Sequence, residues 1–232
     1  MNMEDSANAR AEVWLPTKDL RGDIAFFANT LGFRMDMIFP ADDPKVAVFS
    51  GFGLRFRLDQ GLDMQPGRLF ILSDAPDRVA DGVRRLTAPG GTEVEIAQAN
   101  PKLVLPDTEH AFVVRRLADQ APWVIGRAGM RYRDLIPSRL GGSIIASHIR
   151  IPAGGPVPDT VHDQTVGVQL IYCYRGWVDL VYEDQGEPFR LHAGNCVIQP
   201  PEIRHRVLYA SDNIEVIEIG VPAEHVTTID HE

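Results

Sequence analysis

His162 and Gln164 stand two residues apart, Gln169 follows five residues later, and His205 opens a further apolar segment. Residues two apart in a β-strand point to the same side, so His162 and Gln164 share a face. Gln169 can re-enter that face from the next strand, and His205 can approach it from an opposing one. Imidazole nitrogens and amide oxygens meeting at one point can ligate a divalent ion, or can hydrogen-bond a small ligand without one. The residue types leave both readings open. The group has no carboxylate, so a bound dication would keep its charge for water or an anionic substrate to balance.

The elements that position these residues read as strands. Candidates recur at 123–132, 143–151, 168–174, 178–183, 196–198, 205–209 and 214–219, separated by Gly, Pro and Asp. Many short strands with such punctuation indicate an all-β sandwich or barrel. His148 and Arg150 share one strand face and Ile149 and Ile151 the other, so one of these faces lines the interior. Arg127, Arg131 and Arg133 fall at even spacing, which would set three guanidinium groups along one strand face, either a solvated exterior or an anion-recognising surface. Cys173 has the parity of Gln169 and is expected inward. Pro200 and Pro201 fix the turn that aims His205, and His192 is expected to be a solvated strand-end residue.

The first half has a different pattern. A strand at 12–15 precedes Asp19, a helix cap, and Leu20, Ile24, Phe27 and Leu31 fall on one helical face that Gly32 ends. Strands at 33–39, 46–50 and 53–58 complete a β-α-β-β-β order. A second unit then begins, with a strand at 68–73, a helix from Asp74 carrying Val79, Val83 and Leu86, and a break at Gly90 and Gly91. The equal interval from Asp19 to Leu31 and from Asp74 to Leu86 suggests an internal duplication.

Composition narrows the functional classes. The 232 residues, 44% hydrophobic and 24% charged, suit two compact soluble domains. A formal charge of −9, from 32 acidic and 23 basic residues, with no basic run, argues against nucleic acid. No apolar stretch approaches the roughly 20 residues that span a bilayer. Met1 to Arg10 is acidic and polar where a secretory signal is basic and then apolar, so a cytoplasmic location is expected. Two cysteines, Cys173 and Cys196, make no disulfide framework and are expected as reduced, buried thiols.

Two resemblances add to this reading. The segment Leu15-Pro-Thr-Lys-Asp-Leu20, with Ala25-Phe-Phe-Ala-Asn-Thr-Leu-Gly-Phe33, resembles the vicinal-oxygen-chelate superfamily of glyoxalases and extradiol dioxygenases over residues 11–100. That resemblance implies a metal ligand on the first strand of each unit. The positions here are Glu12 and Gly67, and a glycine offers no ligand. The metal site is expected to be lost, Glu12 to be an exposed strand-end carboxylate, and the domain to serve as a ligand-binding or dimer-forming scaffold.

Residues 111–225 resemble the cupin family more specifically. Gly155-Pro-Val-Pro-Asp-Thr-Val-His162-Asp-Gln164-Thr-Val-Gly-Val-Gln169 through Gly176 is similar to the first cupin motif, and Gly194-Asn-Cys-Val-Ile-Gln-Pro200 through His205 to the second. The resemblance implies an α+β first domain of βαβββ type at 8–108 followed by an all-β double-stranded β-helix, or jelly-roll barrel, at 109–232. The join could fall anywhere from 100 to 118. It further implies a divalent transition metal, Fe, Mn, Ni or Zn, held by His162, Gln164, Gln169 and His205. Usual His and Glu positions are both Gln here, which lowers the expected affinity. The implied activity is dioxygenase or isomerase chemistry on a small oxygenated metabolite, in a homodimer without nucleic acid or membrane. The alternative is a non-catalytic small-molecule binding or sensing protein, and a third reading has the first domain as the active enzyme.

Overall fold

The computed structural model describes residues 10–231. Contacts divide the chain into two compact units that meet at 101/102.

The first unit begins with β1 (Val13–Pro16), the helix α1 (Leu20–Ala25) continued by a wide π-type turn at Phe26–Thr30, and β2 (Arg34–Phe39), β3 (Val46–Gly51) and β4 (Leu54–Asp59). Asp19 caps α1, accepting from the Gly22 amide at 3.0 Å, and Gly32 ends the turn at φ 81°. Leu20, Phe27 and Leu31 are buried, and Phe27, Phe49 and Phe56 pack ring to ring. The sheet order is β1-β4-β3-β2, with β1 parallel to β4.

A second, three-stranded sheet holds β5 (Arg68–Ser73), β6 (Arg85–Thr87) and β7 (Glu93–Gln98) in the order β5-β7-β6. The helix expected from Asp74 to Leu86 does not form. Two 3-10 turns, Pro76–Arg78 and Ala80–Gly82, stand in its place, because Val79 is extended and Ala80, Asp81 and Gly82 have positive φ. Val83, expected inward, is exposed. Three apolar residues at helical spacing could not outweigh the left-handed backbone between them.

The two parts of this unit are joined by a buried polar clasp. Asp23 is fully buried, and its Oδ1 accepts from the Gly90 amide at 2.7 Å. A Cβ at Gly90 would lie 2.1 Å from Asp23 Oδ2 and 2.5 Å from Thr17 Oγ1, so only glycine fits. Burial raises the Asp23 carboxyl pKa, against the hydrogen bonds from Thr17 and Gly90. Gly67 has a comparable reason: a Cβ there would meet Leu15 Cδ2 at 2.6 Å.

The second unit is all β apart from short turns. Its strands are β8 (Val124–Ile125), β9 (Arg131–Asp134), β10 (Ile145–Ile151), β11 (Gly155–Pro156), β12 (His162–Gln164), β13 (Val168–Arg175), β14 (Trp177–Tyr182), β15 (Phe189–His192), β16 (Cys196–Gln199), β17 (His205–Ala210), β18 (Ile214–Val221) and β19 (Thr227–Ile229). One sheet runs β16-β13-β18-β10-β9-β8 and the other β15-β14-β17-β12-β19, with β11 added on β17. Successive strands pass from sheet to sheet: β13 to β14, β15 to β16, β16 to β17 and β17 to β18. This is the winding of a double-stranded β-helix. Inward residues of both sheets, including Ile149, Cys173, Val178, Leu180 and Ile214, form one core.

The strand expected across 123–132 is a hairpin, β8 and β9, folded at the 3-10 turn Arg127–Gly129, where Ala128 has φ 53° and Gly129 φ 73°. Cys173 is fully buried and its thiol pKa is raised by burial, as the parity required. Cys196 is exposed, contrary to expectation, because it lies on the outer side of the edge strand β16, paired with Tyr172.

Candidate metal and ligand site

β12 and β17 are antiparallel neighbours in which His162 and His205 stand directly opposite, bringing the ring centroids to 4.3 Å. Both rings are buried, at 1% and 5% exposure. Each Nδ1 lies 2.9 Å from the carbonyl oxygen two residues upstream, Thr160 for His162 and Ile203 for His205. Only an N–H can satisfy that contact, so in the neutral rings Nε2 carries the lone pair. Burial lowers the pKa of both, and pushes His205 down to about 4, so both are neutral at pH 7. Tyr182 stacks on His205 with centroids 5.0 Å apart.

Gln164 and Gln169 reach the same cavity and are equally buried. Their amide oxygens meet a residue that the motif did not point to. Gln199, opposite Gln169 across β13 and β16, donates from Nε2 to Gln164 Oε1 at 3.2 Å and to Gln169 Oε1 at 2.7 Å. Its own oxygen accepts from the Tyr182 hydroxyl at 2.8 Å. Glu218, on β18, completes the chain through a side-chain hydrogen bond with Gln169, and enclosure by protein raises its carboxyl pKa. Thus the cavity contains a carboxylate, supplied from outside both sequence motifs.

Arg127 also lines this cavity. Its Nη2 is 3.0 Å from His162 Nε2, and its Nη1 is paired with Asp159, whose side chain is fully buried. Asp159 Oδ2 accepts from the Val207 amide at 2.9 Å. Desolvation lowers the Arg127 pKa, opposed by Tyr132 and Glu218. Of the three arginines expected on one strand face, Arg131 and Arg133 keep the two-residue spacing on β9, and Arg127 lies outside it in the preceding turn. Arg127 points inward from its turn, while Arg133 lies over the Trp123 ring at 3.8 Å and contacts His148 Nδ1 at 3.2 Å. Ile149 and Ile151 line the cavity. On the opposite face His148 pairs with Glu215 at 2.7 Å. His192 is exposed, as expected.

The remaining wall is apolar, with Met130, Ile171, Leu180, Val207 and Val216 among its residues, around a volume of about 60 Å³, space for a few water molecules. Polar groups gathered at one end of an apolar cavity are the usual form of a small-molecule site. Among the described residues no three or more His, Cys, Asp or Glu side chains group as a metal-holding cluster. An ion here would rest on two imidazole nitrogens and on amide oxygens. The Nδ1–carbonyl contacts are the outer support that metal-binding histidines use, and neutral imidazole suits Zn, Fe and Ni, so the donor set fits a borderline divalent ion.

In the first unit, Glu12 is not a free strand-end carboxylate. Arg55 Nε pairs with it at 3.2 Å and, through Nη1, with Asp36 at 2.7 Å.

No protein-family model and no curated protein matches the chain. Solved structures do. Salicylate 1,2-dioxygenase from Pseudoaminobacter salicylatoxidans, with gentisate adducts, is 17% identical over 48% of this chain and 31% of its own, with a TM-score of 0.38. KdgF from Halomonas sp. is 18% identical over 45% of this chain and 88% of its own, with a TM-score of 0.36. The cupin domain of Schizosaccharomyces pombe Cnp3 is 12% identical over 40% of this chain and 61% of its own, with a TM-score of 0.34. The chain thus spans about a third of the dioxygenase. These likenesses are distant; the strand order of the second unit defines its fold by itself, a double-stranded β-helix.

Proposed function

We propose that the second unit is a cupin-type metal-dependent enzyme acting on a small oxygenated metabolite. The observation that carries this reading is the facing pair His162 and His205, both neutral, both with Nδ1 fixed by a backbone carbonyl so that Nε2 carries the lone pair, which at His162 faces Arg127. Gln169 and Gln164 would add amide oxygens, with their orientation set by Gln199. A divalent ion held there would supply Lewis-acid or redox activation of substrate oxygens, in a dioxygenase or isomerase type of reaction. The chain's own part is to exclude water with its apolar walls, to orient the substrate, and to exchange a proton at Glu218, whose carboxyl pKa is raised by burial.

Metal content of untagged protein tests this. About one equivalent of a transition metal in wild type, absent after His162→Ala with His205→Ala, is the expected result. Absence from wild type even after anaerobic reconstitution would falsify the reading.

A second reading is favoured by the Arg127 contact at His162 Nε2, the atom a metal would use. The barrel would then bind or sense a small molecule without metal. In either case the first unit, whose β-α-β-β-β order accords with a vicinal-oxygen-chelate-like domain, is proposed as a scaffold for dimerisation, in a cytoplasmic homodimer. The engagement of Glu12 by Arg55 is against metal chemistry there. No helix among the described residues is long and apolar enough to cross a membrane.

A further inference from the structure

Arg127 enters the cavity from a turn, and not from the strand face its spacing suggested. The left-handed residues Ala128 and Gly129 reverse the chain between β8 and β9, so Arg127 points inward, as do Met130 and Tyr132. Asp159, fully buried and tied to the Val207 amide, fixes one end of the guanidinium. Both terminal nitrogens also lie against the His162 ring, Nη2 at 3.0 Å from Nε2 and Nη1 at 3.3 Å from Nδ1. Ile149, Ile171, Leu180 and Val216 line the same cavity.

The Arg127 side chain stays about 30% exposed, but its guanidinium gives up part of its hydration to a cavity lined with aliphatic side chains, as the desolvation that lowers its pKa indicates. One carboxylate anchors it, and its second donor edge faces a neutral nitrogen, a weaker acceptor than an anion. A planar fork of N–H donors in partly desolvated surroundings matches a carboxylate in shape and charge. We propose that Arg127 is the anchoring residue for the ligand of the barrel, which is a small carboxylate with an apolar body. Its carboxylate accepts from the Arg127 edge now facing His162, and its body packs against Ile149, Ile171 and Val216. This rests on the reading of the barrel as a small-molecule site, and it holds with or without a metal.

The test is binding of matched small acids and primary amides (acetate and acetamide, propionate and propionamide) to the full chain with chelator present, by calorimetry and ligand-observed NMR. Acids are expected to bind about 10- to 100-fold more tightly than their amides, the range for a hydrogen bond to a charged group. Arg127→Gln is expected to abolish that preference and Arg127→Lys to retain part of it. Amides binding as well as acids, or an acid preference that survives Arg127→Gln, would overturn the assignment and leave the barrel a binding site. Failure of every acid and amide to bind would overturn both, while the metal question is decided separately by metal content. The wild-type acid-to-amide ratio needs no variant, so a loss of stability from unpairing Asp159 does not compromise the test.

Discussion

Nη2 of Arg127 lies 3.0 Å from Nε2 of His162, so a side-chain cation stands against the lone pair that a metal would take. A dication a few ångströms from a guanidinium is opposed by several kcal/mol even at a moderate local dielectric. Metal entry therefore requires Arg127 to withdraw.

Arg127→Ala is expected to tighten metal binding by at least about tenfold, since one unit charge at such a distance is worth more than 1.4 kcal/mol. Chelator competition against wild type reads it directly. Equal affinities would show that Arg127 is no competitor for His162.

The low pKa of His205 makes stability depend on pH. Its folded value of about 4 lies below the ordinary 6.5, so the unfolded chain binds the proton more readily. The stabilising contribution is complete above pH 6.5 and is lost as pH falls towards 4, by about 3 kcal/mol in all. His162 shifts in the same direction, and Glu218, raised instead, acts in the opposite sense. Urea unfolding of wild type and His205→Gln between pH 7.5 and 4.5 isolates the histidine. Parallel pH profiles for the two proteins would refute its role.

Gln199→Glu preserves size and removes the donor. The carboxylate oxygen standing in place of Nε2 would then face the Oε1 atoms of both Gln164 and Gln169, while the other still accepts from Tyr182, and stability should fall by about 2–3 kcal/mol. Gln199→Met, which leaves acceptors unpaired without adding charge, should cost less. Chemical denaturation ranks the two, and the reverse order would mean that volume and not hydrogen bonding holds Gln199 in place.

In the first unit, Gly90→Ala should cost about 1–3 kcal/mol through overpacking against Asp23 and Thr17. Hydrogen exchange should show lost protection in β1 and β4, while β13 and β18 keep theirs. Unchanged exchange would mean that the clasp contributes little.

Strand parity made His162, Gln164, Gln169, His205 and Cys173 legible, because the turns that bound these strands are marked by Gly and Pro. Glu218 was within reach of the same argument. In the run Ile214, Val216, Glu218 it takes the inward parity, where a lone carboxylate is a signal. Gln199 fell one residue beyond the strand as drawn. Arg127 could not be placed by counting, since a left-handed non-glycine residue at Ala128 leaves no clear mark in sequence and cancels the period of two. The helix expected at 74–86 failed for a similar reason at Ala80 and Asp81. In the first unit the periodicity gave the order of elements from β1 to β4 but not the Arg55 contact that occupies Glu12.

Each histidine of the pair takes its tautomer from a carbonyl two residues upstream in its own chain segment, and the two strands set them face to face by main-chain register. The aliphatic wall supplies none of those main-chain contacts. Ile149, Ile171 and Val216 can therefore be exchanged for larger, smaller or more polar side chains to admit a different ligand without re-aiming the imidazoles. The barrel has a fixed reactive end and an adjustable one, which makes it a convenient starting point for altering specificity by directed evolution.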